Sequence, residues 1–200
     1  MKGLVFNEET HTYFFDGVQV PGVTSILAPL SDFSMVPKVV LERASQFGKA
    51  VHKMVELYCH KYLDEDSLDP ALEPYLEAWV SFVDDHKVTT DFVEQPMYHK
   101  VYRFAGTPDV IGMVDGERSI IDIKSTAALY PSVGPQVWAY AELAKNNSMP
   151  TTGRYAVRLC PDATYELKRF PDQGDFSIFA SLLTLRNWCK QHNITPNFPE

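Results

Sequence analysis

The stretch FAGTPDVIGMVDGERSIIDIKST, residues 104–126, decides how the rest of the chain is arranged. It predicts two short strands joined by a turn at Asp115-Gly116, because this dipeptide between apolar runs is typical of a β-hairpin. With a two-residue turn, Val114 faces Glu117, and the numbers of paired residues sum to 231. A four-residue turn changes the pairing but leaves the same side chains on each face.

Two carboxylates and one ammonium group share a face of this hairpin. The pairing places Asp109 opposite Asp122, and Lys124 lies two residues further along the same strand. Carboxylates this close repel each other unless a cation lies between them, and their oxygens suit Mg²⁺ or Mn²⁺. A hard cation and a lysine together fit phosphodiester hydrolysis. The same residues also fit a cross-strand salt bridge on a solvated sheet face.

Four short motifs, taken in order, resemble the PD-(D/E)XK nuclease superfamily and in particular its RecB-like branch. They are FGKAVH at 47–52, GTPD at 106–109, DIK at 122–124 and QVWAY at 136–140. The resemblance covers roughly residues 48–160, the central half of the chain. An N-terminal pattern, HTY…DG…PGVTSIL, is also similar to leaders of phage-encoded members of this group.

The resemblance implies a restriction-endonuclease-like core of the α/β class, with a central mixed β-sheet flanked by helices. Periodicity gives the matching order αβββαβ over residues 46–160, which we expect to be the catalytic core. An N-terminal β-hairpin extension (1–35) precedes it, and a C-terminal strand and helix (161–200) follow. We expect residues 1–200 to form a single nuclease domain.

Three further elements are predicted from hydrophobic periodicity. A helical region over 46–63 is predicted to break near Gly48, and a single strand is predicted over 91–101. The C-terminal helix is predicted over 175–192, and its inward residues are Ile178, Leu182, Leu185 and Trp188.

The resemblance also implies site residues. The implied catalytic residues are Asp109, Asp122 and Lys124. The implied metal ligands are His52, Asp109, Asp122 and the backbone carbonyl of Ile123. Glu94 fits either a further carboxylate near the metal or an ordinary exposed strand residue. The candidate substrate-binding residues are Gln136, Tyr140, Ser125, Lys49 and Lys53, which also fit packing or a solvated basic face.

Composition narrows the function classes. The formal net charge of −8 argues against general coating of nucleic acid, so DNA affinity would depend on metal, on a few basic residues or on a partner. The 3 cysteines are too few for an iron–sulfur cluster within one subunit. The chain has no apolar run of membrane-spanning length and no signal-peptide pattern at its start, which favours the cytoplasm.

The sequence therefore predicts a Mg²⁺- or Mn²⁺-dependent deoxyribonuclease. Kinship favours an exonuclease in DNA recombination, repair or phage replication, acting in the host cytoplasm if it is phage-encoded. DNA is the expected partner, and a recombination or single-strand-binding protein and an oligomer are compatible with it. The alternatives are a catalytically silent DNA-binding or assembly module on the same fold and a metallohydrolase of small phosphoesters.

Overall fold

The computed structural model describes residues 3–31 and 33–195, so the outermost residues of the predicted terminal segments lie outside the described part. The strands are β1 (Leu4–Asn7), β2 (Thr12–Phe15), β3 (Val18–Val20), β4 (Thr89–Val93), β5 (Met97–His99), β6 (Phe104–Gly106), β7 (Val110–Val114), β8 (Glu117–Lys124), β9 (Gly153–Leu159) and β10 (Tyr165–Arg169). The helices are α1 (Val23–Leu27), α2 (Lys38–Cys59), α3 (Glu73–Asp85), α4 (Val133–Asn146) and α5 (Gly174–His192). Short 3₁₀ turns lie at Ala28–Leu30 and Glu65–Ser67.

The central sheet has five strands in the order β10-β9-β8-β7-β4. Strands β8 and β9 are parallel and are connected through α4, whereas the other neighbours are antiparallel. A parallel pair needs a long crossover connection, which the α4 segment supplies. The sheet is therefore mixed, with its parallel pair at the centre.

Helices cover both faces of the central sheet. On one face, α1, α4 and α5 pack on a core that includes Ile111, Ile120 and Ala156. On the other face, α2 and α3 pack on a core that includes Val110 and Ile121. Because consecutive strand residues point to opposite faces, β7 and β8 contribute to both cores in alternation.

A second, smaller group of strands lies beside the core. Strands β1, β2 and β3 form an antiparallel sheet, and β5 pairs with β6 in a separate ribbon. Phe15 of β2 stacks on Tyr98 of β5 with ring centroids 3.9 Å apart. The backbone N–H of Ala105 in β6 donates to the carbonyl of Pro21 at 2.9 Å, so the N-terminal sheet is attached to the ribbon.

The predicted fold class is confirmed: the chain is α/β, with a mixed central sheet between helices and the order αβββαβ in α2, β4, β7, β8, α4 and β9. The predicted N-terminal hairpin carries a third strand, β3. The prediction of a single strand over 91–101 was wrong. The backbone at Glu94 has a left-handed φ of 47°, which separates β4 from β5.

Two helix predictions were also wrong. Helix α2 runs without a break through Gly48, where only the Ser125 hydroxyl, 3.7 Å from a Cβ position, comes near. In α5 the buried residues are Phe179, Leu183 and Cys189. Of the predicted inward residues, Leu182 packs against the core, whereas Ile178 and Trp188 are about half exposed. None of the helices in the described ranges is long and apolar enough to cross a membrane.

Candidate active site

The hairpin β7–β8 has the predicted register. Val110 pairs with Ile121 and Val114 pairs with Glu117, so paired numbers sum to 231. The ladder stops just before Asp109, whose Oδ2 accepts a 2.6 Å hydrogen bond from the backbone N–H of Ile123. The strand end therefore fixes the carboxylate of Asp109 next to the last residues of β8.

The face that carries these carboxylates is buried. Asp109 is 6% exposed and Asp122 is 0% exposed, because α4 packs over this side of the sheet. The alternative of a salt bridge on a solvated sheet face is therefore excluded. Buried carboxylates need counter-charges, because an unpaired buried charge destabilises the fold by about 3–5 kcal/mol.

Lys124 supplies one counter-charge. Its Nζ lies 2.7 Å from Asp122 Oδ2, yet neither oxygen of Asp122 accepts a well-formed hydrogen bond from any described residue. The contact is thus an ion pair with poor hydrogen-bond direction. Burial raises the pKa of Asp122 to about 6, although Lys124 opposes the shift. Burial would lower the pKa of Lys124, but Asp122 and Asp109 outweigh it and raise that pKa.

His52 of α2 reaches the same place from the other face of the sheet. Its Nε2–H donates to the backbone carbonyl of Ile123 at 3.0 Å. Its Nδ1 lies 3.2 Å from Glu94 Oε1 and 3.5 Å from Asp109 Oδ1. The imidazole thus joins helix α2 to the ends of β4, β7 and β8.

The carboxylates of Asp109 and Glu94 determine the charge of His52. Burial disfavours a charged ring, but Asp109 and Glu94 outweigh it and raise the pKa of His52 well above its ordinary value. Burial alone would raise the pKa of Asp109, whereas His52, Lys124 and the Ile123 N–H lower it. Without a metal, a proton on His52 therefore balances part of the negative charge.

The donor set fits a divalent metal ion. Ligand atoms of His52, Glu94 and Asp109 lie within 4.8 Å of one another. The buried oxygens of Asp122, which lack a hydrogen bond from the described residues, lie on the same sheet face as Asp109. Carboxylate oxygens with one imidazole suit Mn²⁺ or Mg²⁺. Asp122 lies outside the tight group of three, so its place in a ligand set stays a prediction.

Glu94 is positioned by an uncommon backbone conformation. Its φ is 47°, and its backbone N–H donates to the carbonyl of Asp109 at 2.9 Å. Left-handed φ values in bulky residues are strained, and such strain is common at functional sites. The sequence left Glu94 open between a site carboxylate and an exposed strand residue, and the structure places its side chain in contact with His52.

The candidate substrate-binding residues lie in different surroundings. Tyr140 is only 4% exposed, and its hydroxyl accepts a 3.3 Å hydrogen bond from the amide of Gln136, which is partly exposed. Ser125 lies against α2 at Gly48. Lys49 is exposed, and Lys53 is paired with Glu56 at 2.9 Å. Gln136, Ser125 and Lys49 are thus accessible to a ligand, whereas Tyr140 is buried.

One contact of the site was missed from the sequence. The hydroxyl of Tyr13 in β2 lies 2.9 Å from Oγ1 of Thr107, two residues before Asp109. The HTY pattern at 11–13 was the available signal, but it did not reveal which part of the chain Tyr13 contacts. A separation of 94 positions between the two residues has no local sequence signature.

Comparisons with known proteins give similarity at low identity. No family model and no curated protein match the chain. A protein of Eubacterium rectale, provisionally designated an exonuclease, is 12% identical, with a TM-score of 0.46 over 76% of each chain. The alkaline exonuclease LHK-Exo of Laribacter hongkongensis is 17% identical, with a TM-score of 0.39 over 70% of this chain and 83% of that chain. Its complex with dAMP is 15% identical, with a TM-score of 0.37 over 70% and 79%. The activity of this chain is therefore inferred from its own side chains.

Proposed function

We propose that this protein is a metal-dependent nuclease that hydrolyses phosphodiester bonds in DNA. The observation that carries the proposal is the convergence of His52, Glu94 and Asp109 beside the buried pair of Asp122 and Lys124. Buried acidic and basic groups with shifted pKa values, gathered at one place, are the usual mark of a catalytic site.

The proposed ligands of Mg²⁺ or Mn²⁺ are His52, Glu94, Asp109, Asp122 and the backbone carbonyl of Ile123. When bound, such an ion neutralises charge on phosphoryl oxygens and makes water a better nucleophile at neutral pH. His52 would give up its proton to become a ligand, since a metal-binding imidazole is neutral. In the structure Nε2–H donates to the Ile123 carbonyl, and this hydrogen bond would be given up if the ion took both groups as ligands.

Lys124 is the proposed catalytic cation. It stays charged because Asp122 and Asp109 raise its pKa. Its weakly directed contact with Asp122 leaves N–H groups free to orient the attacking water or to donate to a phosphoryl oxygen. Gln136, Ser125 and Lys49 would contact the sugar–phosphate backbone, which requires no particular sequence. Lys53 would do so only after it leaves Glu56.

The narrower proposal is an exonuclease that acts on DNA ends in recombination, repair or phage replication, in the cytoplasm and alongside a recombination or single-strand-binding protein. The net charge of −8 favours one competing activity, hydrolysis of a small phosphoester, because DNA is itself a polyanion. The two activities differ in whether a DNA-length substrate is needed.

The test compares linear DNA, circular DNA and bis-p-nitrophenyl phosphate as substrates, each with Mg²⁺, with Mn²⁺ and with chelator. We expect cleavage of linear DNA that depends on the metal ion. Cleavage of circular DNA would indicate endonuclease action instead. Hydrolysis of the small ester without DNA cleavage would favour the competing activity.

Replacing Lys124 by alanine tests the mechanism directly. We expect Lys124→Ala to lower kcat at least about 100-fold, since an electrostatic contact to the transition state is lost, while DNA binding changes little. Lys145→Ala is the matched control, because Lys145 is an exposed lysine paired with Glu142 on α4. Circular dichroism checks the fold of both variants, and undiminished cleavage by Lys124→Ala contradicts the mechanism.

A further inference from the structure

Tyr13 joins the N-terminal sheet to the candidate active site. This residue lies in β2, the middle strand of that sheet, and is 2% exposed. Its hydroxyl lies 2.9 Å from Oγ1 of Thr107. Thr107 belongs to the turn between β6 and β7, and Asp109 is two residues further along. The hydrogen bond therefore joins the N-terminal sheet to the turn that presents the Asp109 carboxylate.

The position of the Tyr13 ring is fixed on several sides. The Phe6 ring stacks on it with centroids 4.6 Å apart. A Cβ on Gly22 would come within 3.0 Å of Tyr13 Cε2, so a glycine at this position leaves room for the ring. The sheet is also bonded to β6 through Pro21 and Ala105. Because the ring fills a close-fitting place, its hydroxyl holds Thr107 at a defined distance.

The other side of the turn is equally constrained. A Cβ on Gly106 would come within 2.8 Å of Val23 Cγ2 and 3.0 Å of Tyr140 Cε1. The Asp109 carboxylate itself is bonded to the Ile123 N–H. The turn is thus held by packing below and by the Tyr13 hydroxyl at the side, and a small shift of either would move a proposed metal ligand.

The charges agree with this placement. Burial raises the pKa of Tyr13, and the nearby charges of Glu94 and Asp109 also raise it. The hydrogen bond to Thr107 opposes them without reversing the shift, so the phenol stays neutral and keeps its proton. A neutral hydroxyl close to two carboxylates adds no negative charge to the group. It is therefore suited to hold the turn in place.

We infer that Tyr13 is a positioning residue of the candidate site, and that its hydrogen bond to Thr107 holds the turn that presents Asp109. The N-terminal sheet then contributes to the geometry of the site. The effect on cleavage rests on the proposed nuclease function, whereas the effect on metal affinity rests only on the proposed metal site. Groups that hydrogen-bond directly to metal ligands change affinity or activity by about 10- to 100-fold when they are replaced, and Tyr13 acts through Thr107, so we expect the lower end of that range.

The experiment is a double-mutant cycle with Tyr13→Phe, Thr107→Val and the double variant. Mn²⁺ affinity is measured by calorimetry, and kcat and KM are measured on linear DNA. We expect each single variant to weaken Mn²⁺ binding about tenfold and to lower kcat about tenfold, with KM for DNA unchanged. The double variant should be no worse than either single variant, because both remove the same bond.

Two further variants make the result specific. Tyr98→Phe is the matched control, because Tyr98 belongs to the same small apolar cluster and contacts Phe15 through its ring. Thr107→Ser keeps the hydroxyl and should retain wild-type Mn²⁺ affinity and kcat. If Tyr13→Phe does not fold, Thr107→Val tests the same bond from the other side.

The outcomes separate the two proposals. Wild-type Mn²⁺ affinity in both single variants overturns the role of Tyr13, and so do additive effects in the double variant. Wild-type protein that binds Mn²⁺ but cleaves no DNA overturns the nuclease proposal alone, and calorimetry then still decides the role of Tyr13.

Discussion

Asp122 and Lys124 show how a single pair of residues can be stable in the fold and still suited to chemistry. Asp122 is 0% exposed, and it is neutralised by an ammonium group at 2.7 Å without a well-directed hydrogen bond. Within the described part of the chain, the carboxylates of Glu94, Asp109 and Asp122 face the cations of His52 and Lys124. The group is one negative charge in excess when all are ionised, which favours uptake of a cation.

Glu94 has a strained backbone conformation, next to the other proposed metal ligands. Holding a non-glycine residue in the left-handed region costs roughly 1–2 kcal/mol, and Glu94 has a φ of 47°. A glycine would adopt this conformation without that strain. Nine other non-glycine residues of the described ranges share a left-handed φ, so the contact with His52, rather than the strain, distinguishes Glu94 as a site carboxylate.

Replacing Glu94 by glycine should separate stability from metal binding. We expect Glu94→Gly to leave the free energy of unfolding unchanged or to raise it by up to about 1 kcal/mol, because the backbone strain is relieved. We expect its Mn²⁺ affinity to fall at least about tenfold, because a proposed ligand is lost. Urea unfolding and calorimetry measure the two quantities.

Lys87→Gly is the control for this prediction. Lys87 also has a left-handed φ, 49°, and it lies in the turn between α3 and β4, outside the candidate site. Its replacement should give the same small change in stability and no change in Mn²⁺ affinity. Wild-type Mn²⁺ affinity in Glu94→Gly would rule out Glu94 as a ligand.

Among the elements, β7 depends on a glycine for its contact with β4. The register between these strands shifts between Thr90 and Phe92, and a Cβ on Gly112 would clash with the carbonyl oxygen of Thr89. Glycine is the residue that allows such a close approach of two backbones in a sheet. The irregular pairing lies two to four residues before Glu94, near the end of β4.

Two glycine-to-alanine replacements should therefore change the free energy of unfolding in opposite directions. Gly112→Ala should lower the free energy of unfolding by at least about 2 kcal/mol, because one of the two strands must move. Gly48→Ala should raise it by up to about 1 kcal/mol, since alanine favours the helix and would meet only the Ser125 hydroxyl at 3.7 Å.

Urea unfolding with tryptophan fluorescence compares both glycine variants with the wild type. The contact at Gly112 is with backbone, so a neutral Gly112→Ala would contradict the β4–β7 geometry. A strongly destabilised Gly48→Ala would instead indicate that α2 needs glycine at that position.

The sequence predicted some of these elements correctly and others wrongly, depending on whether local residues determine their geometry. The register of β7 and β8 follows from the Asp115-Gly116 turn, because a short turn determines the pairing of its strands. The separation of β4 from β5 depends on a left-handed φ at Glu94, a residue type with no preference for it. In α5 the predicted inward face was wrong at Ile178 and Trp188 and right at Leu182, because apolar residues lie on both sides of the helix and the sequence does not show which side packs on α4.

The same holds for the site residues: some were found from local motifs, whereas others depend on contacts between distant parts of the chain. His52 and Asp109 were found through motif order, and the structure brings them within 3.5 Å of each other. Tyr13 was not found, because its role depends on a contact between distant parts of the chain. Tyr140 lies on the buried face of α4, and its burial is the packing alternative that the sequence had left open.

At the scale of the whole molecule, the candidate site connects most layers of the fold. His52 comes from α2 on one face of the sheet, Asp109 and Asp122 point to the other face, and Glu94 ends an edge strand. A ligand bound by residues from α2, β4, β7 and β8 stabilises their common arrangement, because the unfolded chain does not bring them together.

Metal binding should therefore stabilise the folded protein as a whole. At an Mn²⁺ concentration 100 times Kd, the free energy of unfolding rises by about 2.7 kcal/mol. For a chain of this size, that gain raises Tm by about 5–10 °C. Differential scanning calorimetry with Mn²⁺, and again after chelation, measures the rise and its loss.

The variant Asp109→Asn makes this prediction specific to the site. Its amide oxygen can still accept the hydrogen bond from the Ile123 N–H, so the local fold should persist. The pKa of Asp109 is lowered in the folded protein, so its charge contributes to stability at neutral pH, and Tm without metal should be lower than in the wild type. Without that charge the rise with Mn²⁺ should disappear. If Asp109→Asn gained as much as the wild type from Mn²⁺, the ion would be binding elsewhere on this acidic chain.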